Sequence, residues 1–192
     1  MKEENQIEYF YDETETLLHF VFKKGQNNLL IVCLNPKEST EQIKVNHNIE
    51  KLSSNNGYDG FVIVFINPNI QDNSVFVEKS NNEINENYLT IGALLDGNQF
   101  NFKTALVCWG QEIDSFNQTF LKKSAYKILN DLDKEDLKFV CIGKDKNGNP
   151  LAINDKNSNT KFKNFEIKNY CANIKKTIKI NPEISINGIA FK

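Results

Sequence analysis

The stretch LLIVCLNP, at residues 29–36, decides the fold of this chain. It is a short apolar run that stops abruptly at Asn35-Pro36. Runs of this kind are typical of strands buried on both faces of a parallel sheet, because helices cover such sheets on both sides. We therefore predict a central strand at residues 29–34 whose carboxyl end leads into a polar loop.

Three later apolar runs repeat this design. They are FVIVFI at 61–66, TALVC at 104–108 and KFVCIG at 138–143. Helical patterns near 48–54, 83–95 and 116–132 separate the runs, and the last has a clear 3.6-residue period. The order β-α-β-α-β-α-β predicts an α/β fold of three layers with a mostly parallel, four-stranded core sheet.

The flanking segments have a different pattern from this core. Residues 7–22 alternate loosely between apolar and polar around a turn, which predicts an N-terminal antiparallel hairpin on the sheet edge. Residues 37–48 are polar and are expected to form a loop before the first helix. We expect one α/β domain over 1–154 and a C-terminal extension over 155–192, packed on or beside it. The extension, which ends in ISINGIAFK at 184–192, reads as a helix and edge hairpin or as a small appendage.

The composition excludes several classes of protein. The formal net charge is −2 and the sequence contains no arginine, which disfavours strong nonspecific binding to duplex nucleic acid. No apolar run approaches the ~18 residues of a membrane span. The N-terminus lacks the basic start and apolar middle of a signal peptide. We therefore expect a cytoplasmic protein with no membrane partner.

The cysteines do not indicate a metal site. The chain has four, none in a CxxC pair, and three lie inside apolar strand-like runs. This pattern favours free buried thiols that pack as small hydrophobes. We predict neither a bound metal nor a cofactor.

The carboxyl ends of the four core strands are expected to line one cleft, which is the predicted binding region. Ligands of open parallel sheets bind outside these ends, near the point where the strand order reverses. Asparagine amides both donate and accept hydrogen bonds, as the edge of a nucleobase requires, and a tryptophan face can stack on a base. Each feature also has a purely structural explanation, as a turn or a packing residue. The ligand-binding candidates are Pro36, Asn67, Trp109, Gly110, Lys144 and Asn149.

Candidate catalytic groups are few. Asn35 and Glu38 follow the first core strand, and His47 precedes the first predicted helix. A histidine or carboxylate near the cleft would serve as a general acid or base, whereas an exposed loop histidine or a solvated carboxylate is the structural alternative. No HExxH, GxSxG, Walker A or GxGxxG motif occurs.

Several motifs together resemble a known family. In order, they are LLIVCLNPKEST, NHNIEKL, GYDGFVIVFINP, LVCWG and CIGKDKNGNPLAIN, over about residues 29–154. This set resembles the domain-of-unknown-function 1643 family of bacteria and phages. The chain departs from the family pattern where Lys37-Glu38 replaces Ser-Thr and where the terminal His-Pro is missing. If the family's chemistry depends on those groups, this member binds without catalysing.

The core pattern is also distantly similar to the uracil-DNA glycosylase superfamily. In such enzymes an Asp or Asn positions a water molecule and an aromatic side chain stacks on the flipped base. This resemblance implies that Asn35 orients water or ligand and that Trp109 supports the pocket.

Three functions are consistent with these observations. The first is a protein that binds a nucleotide or nucleobase in a glycosylase-like pocket, and that acts on a base, nucleoside or nucleotide. The alternative is a non-catalytic module, related to phages or to defence against them, that senses or sequesters a nucleotide. The third is a hydrolase that uses Glu38, Asp145 or His47. The sequence leaves a nucleic-acid partner and the oligomeric state open.

Overall fold

The part of the chain that the structure describes folds as a mixed α/β structure with a seven-stranded sheet and four α-helices. The computed structural model describes residues 6–13, 17–70, 81–96, 99–114 and 119–180. The α/β prediction is confirmed at this level, and the sheet is mixed. The strands are β1 (Glu8–Tyr11), β2 (Leu18–Lys23), β3 (Asn28–Cys33), β4 (Gly60–Phe65), β5 (Phe102–Val107), β6 (Lys138–Cys141) and β7 (Lys163–Asn164); the helices are α1 (Ser39–Asn55), α2 (Asn81–Asp96), α3 (Thr119–Leu132) and α4 (Ile167–Ile180), with a 3-10 turn at Gln111–Asp114.

The strand order is β1-β2-β4-β3-β5-β6-β7. β3 lies between β4 and β5 and is parallel to both, and β5 is parallel to β6. β2 is antiparallel to β4, and β1 is antiparallel to β2, so the N-terminal hairpin occupies one edge. The two-residue β7 is antiparallel to β6 at the other edge.

Helices cover both faces of the sheet. Ile49 and Leu52 of α1 pack on one face, against alternate residues of β3 and β4 such as Ile31 and Ile63. The cluster on the other face joins side chains of α2, α3 and α4, and it includes Trp109. Every residue of β4 is buried, which explains why this strand reads as a continuous apolar run.

The first helix begins earlier than the sequence suggested. Residues 39–47 are helical, so the prediction of a polar loop up to 48 was wrong. The apolar period is hidden because Gln42 and Asn46 occupy the buried face of the first turns, whereas Ile43 is 61% exposed. Two buried amides therefore replace the apolar stripe from which a helix is normally recognised.

The segment after residue 155 is tied to the rest of the sheet. β7 extends the sheet at β6, and α4 packs against α3. The helix expected in this segment is α4, whereas residues 184–192, expected as part of an edge hairpin, lie outside the described residues. No helix in the described ranges is long and apolar enough to cross a membrane.

Two glycines allow the turn before β3 to approach the start of β4. The Gly60 N–H donates to the Asn27 carbonyl, and the Asn28 side chain bonds both backbone polar groups of Gly25. A Cβ on Gly60 would lie 2.8 Å from the Cα of Gly25, and closer still to Asn28 Oδ1. This contact leaves no room for a side chain.

We expect Gly60→Ala to lower the free energy of unfolding by about 1–3 kcal/mol or more, because backbone atoms would have to move. Urea denaturation followed by circular dichroism measures the change. Gly92→Ala is the matched control: a Cβ there meets no atom within 4 Å, and α2 should gain about 0.5–1 kcal/mol. Equal effects of the two variants would contradict the close approach.

Candidate functional site

The carboxyl ends of the parallel strands β4, β3, β5 and β6 lie side by side at one end of the sheet. Hydrogen bonds continue past the strand ends, from Ile66 N–H to the Cys33 carbonyl (2.9 Å) and from Cys108 N–H to the Val32 carbonyl (3.0 Å). From β3 the chain leaves to α1 on one face, and after β5 it reaches α3 on the other face. The strand order therefore reverses between the ends of β3 and β5, which is where open sheets of this kind place ligands.

The asparagines of the two Asn-Pro pairs are buried at these strand ends rather than exposed on the surface. Asn35 is only 9% exposed, and its Nδ2 donates to the Pro36 carbonyl at 3.1 Å. Asn67 is 3% exposed, and its Oδ1 accepts from Asn69 Nδ2 at 2.6 Å. The Nδ2 of Asn67 is buried without a hydrogen-bond partner among the described residues. An unpaired buried donor of this kind costs stability.

A first cleft, which we call the α1 cleft, opens between the N-terminal hairpin and the start of α1. Its volume is about 580 Å³, within the range of small-molecule sites. Glu38 occupies the N-cap position with an extended backbone, and its side chain makes no capping hydrogen bond. The first-turn N–H groups have no intrahelical acceptor, which gives this helix end a partial positive charge. The residues that line the cleft are Tyr9, Tyr11, Leu18, Lys37, Glu38, Ser39, Gln42, Ile43 and Ile70.

A chain of hydrogen bonds fixes the back of the α1 cleft. The backbone N–H of Lys37 donates to Gln42 Oε1 at 2.8 Å, and Gln42 Nε2 donates to Asn46 Oδ1 at 2.8 Å. Asn46 Nδ2 then donates to the Tyr9 hydroxyl at 2.9 Å. Gln42 and Asn46 are 2% and 1% exposed, so the amides are held rigidly. They connect the loop after β3 to an aromatic ring of β1.

Two tyrosines form the aromatic wall of this cleft. The rings of Tyr9 and Tyr11 lie 6.3 Å apart, with an angle of 16° between their planes. Each residue is 38% exposed, so ring surface is open to solvent. Alternation along β1 places both side chains on the same side of the strand, with Phe10 on the other side, stacked on Phe20.

A second cleft, which we call the α4 cleft, lies between α4 and the hairpin at 144–150. Its volume is about 320 Å³. Lys144 and Pro150 pair as an isolated antiparallel β-bridge. Asp145 Oδ1 accepts hydrogen bonds from the backbone N–H groups of Asn147 and Asn149 within the turn. Lys144 Nζ lies 4.9 Å from the centre of the Phe165 ring. The predicted residues Lys144 and Asn149 both line this cleft.

A hydrogen-bonded relay runs from the core into the α4 cleft. The indole N–H of Trp109 donates to the Tyr170 hydroxyl at 3.0 Å, which donates to Asn149 Oδ1 at 2.8 Å. Asn149 Nδ2 donates to Asp114 Oδ2 at 2.6 Å and to Asp145 Oδ2 at 3.2 Å. Burial raises the pKa of the Tyr170 hydroxyl. The relay therefore holds the neutral side chains of Tyr170 and Asn149 in fixed orientations beside the carboxylates of Asp114 and Asp145.

Asp114 is the most strongly held carboxylate of the α4 cleft. Lys122 Nζ lies 2.9 Å from its Oδ1, and the amides of Asn147 and Asn149 donate to its Oδ2. Partial burial acts to raise the pKa of Asp114, but the hydrogen bond and charge of Lys122 and the two amide hydrogen bonds together lower it. An ionised, fully paired carboxylate of this kind binds and positions better than it donates a proton.

Trp109 does not offer the open face expected of a stacking platform. It is 1% exposed, with Phe165 edge-on at 6.1 Å and Tyr170 at 5.3 Å between ring centroids. Its indole holds α4 on the sheet. Gly110, with φ +78°, follows it and donates its N–H to the Pro150 carbonyl at 2.9 Å. Gly110 thus joins the end of β5 to the 144–150 hairpin.

The predicted catalytic residues do not come together. Glu38 is exposed at the start of α1 and lines the α1 cleft, whereas Asn35 is buried. His47 lies exposed within α1, eight residues and so about 12 Å along the axis from Ser39. The expected position of His47, in a loop near the strand end, was wrong because that segment is helical. The described residues contain no group of three or more His, Cys, Asp or Glu side chains that could hold a metal ion.

Comparison with known proteins identifies the family. A family model described as "Protein of unknown function (DUF1643)" matches residues 17–151. The chain belongs to the DUF1643 family. No curated protein and no solved structure matches it. The matched span runs from β2 to the end of the 144–150 hairpin, so Tyr9, Tyr11 and Tyr170 of this DUF1643 protein lie outside it.

Sequence reasoning missed the residues that come from the flanks and from α1. The alternation of β1 places Tyr9 and Tyr11 on one side, and Gln42 and Asn46 have helical i,i+4 spacing, so both pairs left a signal. Asp114, Lys122 and Tyr170 had no local signal. Tyr170 lies 61 residues after Trp109, and only the packing of α4 brings the two together.

We expect Tyr170→Phe to destabilise the DUF1643 protein by about 1–3 kcal/mol, because the buried Trp109 N–H loses its acceptor. Urea denaturation followed by the fluorescence of Trp109, the only tryptophan of the chain, measures this loss. Tyr58→Phe is the control, since the Tyr58 ring packs on Phe162 outside the relay. Equal stability of both variants would show that the relay contributes nothing.

We also expect a pH signature from Asp114. Because its pKa is lower in the folded protein, its contribution to stability is present above the unfolded value of about 4 and is lost as pH falls through the folded value. Asp114→Asn should therefore flatten the dependence of the unfolding free energy on pH below about 4. Lys122→Met should move the loss to higher pH. Parallel curves for wild type and Asp114→Asn would contradict this.

Proposed function

We propose that this protein binds a nucleotide or nucleobase in the α1 cleft. The observation that supports this best is the pair of half-exposed tyrosine rings that faces the uncapped N-terminus of α1 across a cleft of about 580 Å³. A flat apolar wall and a site for an anion are the two elements that a nucleotide requires.

The base is assigned to the aromatic side of the cleft. Stacking of a nucleobase on an aromatic side chain contributes about 1–3 kcal/mol and suits any base, because every base has a π face. Leu18, Ile43 and Ile70 supply apolar surface around the rings. The hydrogen bond from Asn46 to the Tyr9 hydroxyl fixes one ring before the ligand arrives, which reduces the entropy lost on binding.

The phosphate or ribose is assigned to the first turn of α1. N–H groups at a helix N-terminus bind anions without help from arginine, which the chain lacks. Lys37 lines the same cleft and adds one positive charge. Glu38 and Glu41 lie at the same end of the helix and oppose high negative charge. This balance favours a nucleoside or a monophosphate over a triphosphate.

Binding without base excision is the form of this proposal that the side chains favour. Among the residues that the structure describes, Glu38 is the carboxylate that lines the cleft, and the two histidines of the chain, His19 and His47, do not line it. The glycosylase-like arrangement is supported by the parallel order β4-β3-β5-β6 and by Asn35 after β3. However, the Asn35 amide is buried, donates to its own loop and does not line the α1 cleft. A module that senses or sequesters a nucleotide fits these positions better than an enzyme that hydrolyses one.

We test this by thermal shift and calorimetry with bases, nucleosides, monophosphates and triphosphates. A ligand at one hundred times its Kd should raise the Tm by about 5–10 °C. Tyr11→Ala should weaken the best ligand roughly 5- to 150-fold through the lost stacking. Lys37→Gln should weaken monophosphates more than the matching nucleosides.

Two control variants locate the ligand. Phe10→Ala removes an aromatic ring from the other side of the same strand and should leave affinity unchanged. Lys144→Gln alters the α4 cleft. If Lys144→Gln weakens the ligand and Tyr11→Ala does not, the ligand occupies the α4 cleft and our assignment is wrong. The absence of binding by any base, nucleoside or nucleotide would reject the function itself.

A further inference from the structure

Two thiols meet at the point where the strand order reverses. Cys33 ends β3, and Cys108 directly follows β5. Their Sγ atoms lie 3.4 Å apart, although the residues are separated by 75 positions in the sequence. Cys33 is partly exposed, whereas Cys108 is buried and its Sγ also lies 3.4 Å from the Val32 carbonyl. A partly exposed cysteine thus lies in contact with a buried one.

The backbone geometry suits a bond between these sulfurs. Val32 pairs with Val107, so the same register carried one residue further pairs Cys33 with Cys108. Neighbouring strands lie about 4.8 Å apart, within the Cα–Cα range of about 4.4–6.8 Å found for disulfides. Both side chains pack in the cluster on the α1 face of the sheet. The cross-link therefore needs rotation of side chains and only a small movement of the strands.

We propose that Cys33 and Cys108 form a dithiol that a hydroperoxide oxidises to an intramolecular disulfide. The Cys33 sulfur attacks a peroxide oxygen, the O–O bond breaks, and water leaves when the oxidant is hydrogen peroxide. Cys33 is then a sulfenic acid. Cys108 Sγ attacks Cys33 Sγ, the S–S bond forms, the S–O bond breaks and a second water leaves. Two thiols lose two electrons and two protons, and one peroxide is reduced to two waters.

The order of these steps follows from the surroundings of the two sulfurs. The hydrogen bond with Cys33 and complete burial raise the pKa of the Cys108 thiol well above its usual range. Cys108 is therefore a poor first nucleophile, because the thiolate is the reactive form. Its contact with Cys33 makes it a resolving thiol, for which proximity replaces a low pKa.

The other two cysteines provide internal controls. Cys141 and Cys171 lie with the cluster on the opposite face of the sheet. Burial raises the pKa of Cys171 to about 11, and burial also raises that of Cys141. Neither is expected to react with a small excess of peroxide.

The test is oxidation of the full chain with a small excess of hydrogen peroxide. Free thiols, counted after denaturation, should fall from four to two. The mass should drop by two hydrogens, non-reducing peptide mapping should link Cys33 to Cys108, and dithiothreitol should reverse the change. Cys33→Ser should abolish the cross-link, as should Cys108→Ala, whereas Cys141→Ser and Cys171→Ser should keep it.

Defined outcomes would overturn the proposal. One is a stable sulfinic acid on Cys33 with no cross-link, and another is a disulfide between two chains. Oxidation in urea separates native geometry from chance: the unfolded chain should give mixed pairings at a lower rate. If the unfolded chain forms the Cys33–Cys108 link as fast and as selectively, the folded structure does not favour the bond.

Discussion

The pairing of β3 with a parallel strand on each side is the constraint on which the rest of the structure depends. Six consecutive register pairs join β3 to β4, from Asn28 with Gly60 to Cys33 with Phe65. Because β3 is hydrogen-bonded on both edges and covered on both faces, its residues are buried from Asn28 to Val32, and only Cys33 at its carboxyl end is partly exposed. The parallel neighbours end at the same level, so the polar loops that follow them collect at one end of the sheet.

Tight packing at these strand ends explains why the α1 cleft and the α4 cleft lie to either side of them. The centre is occupied by the Cys33 and Cys108 thiols and by the amides of Asn35 and Asn67. On one side, buried Gln42 and Asn46 connect α1 to the N-terminal hairpin. On the other side, the relay from Trp109 holds α4 in place. Both clefts are bordered by hydrogen-bonded side chains that are already oriented, which favours selective binding of polar ligands.

The sequence specified the strands well because their burial is continuous and their ends are marked by Asn-Pro or Gly. It placed Lys144, Asn149 and Glu38 just after strand ends, and each lines a cleft, but the single cleft that it predicted is wrong: Glu38 lines the α1 cleft, and Lys144 and Asn149 line the α4 cleft. The sequence did not predict the first half of α1 as helical, because the buried side chains of Gln42 and Asn46 stand where apolar residues would show a helical period. It also assigned an open face to Trp109, because burial by a helix 61 residues away depends on tertiary packing that no local pattern records.

The family match divides each cleft into an inner and an outer wall. Residues 17–151 contain Lys37 and Gln42 of the α1 cleft and Asn149 of the α4 cleft. The tyrosines of β1 and the residues of α4 lie outside that span. The outer walls are therefore built by segments beyond the part of the chain that the family model matches, whereas the parallel strands β3, β4, β5 and β6 and their register lie within it.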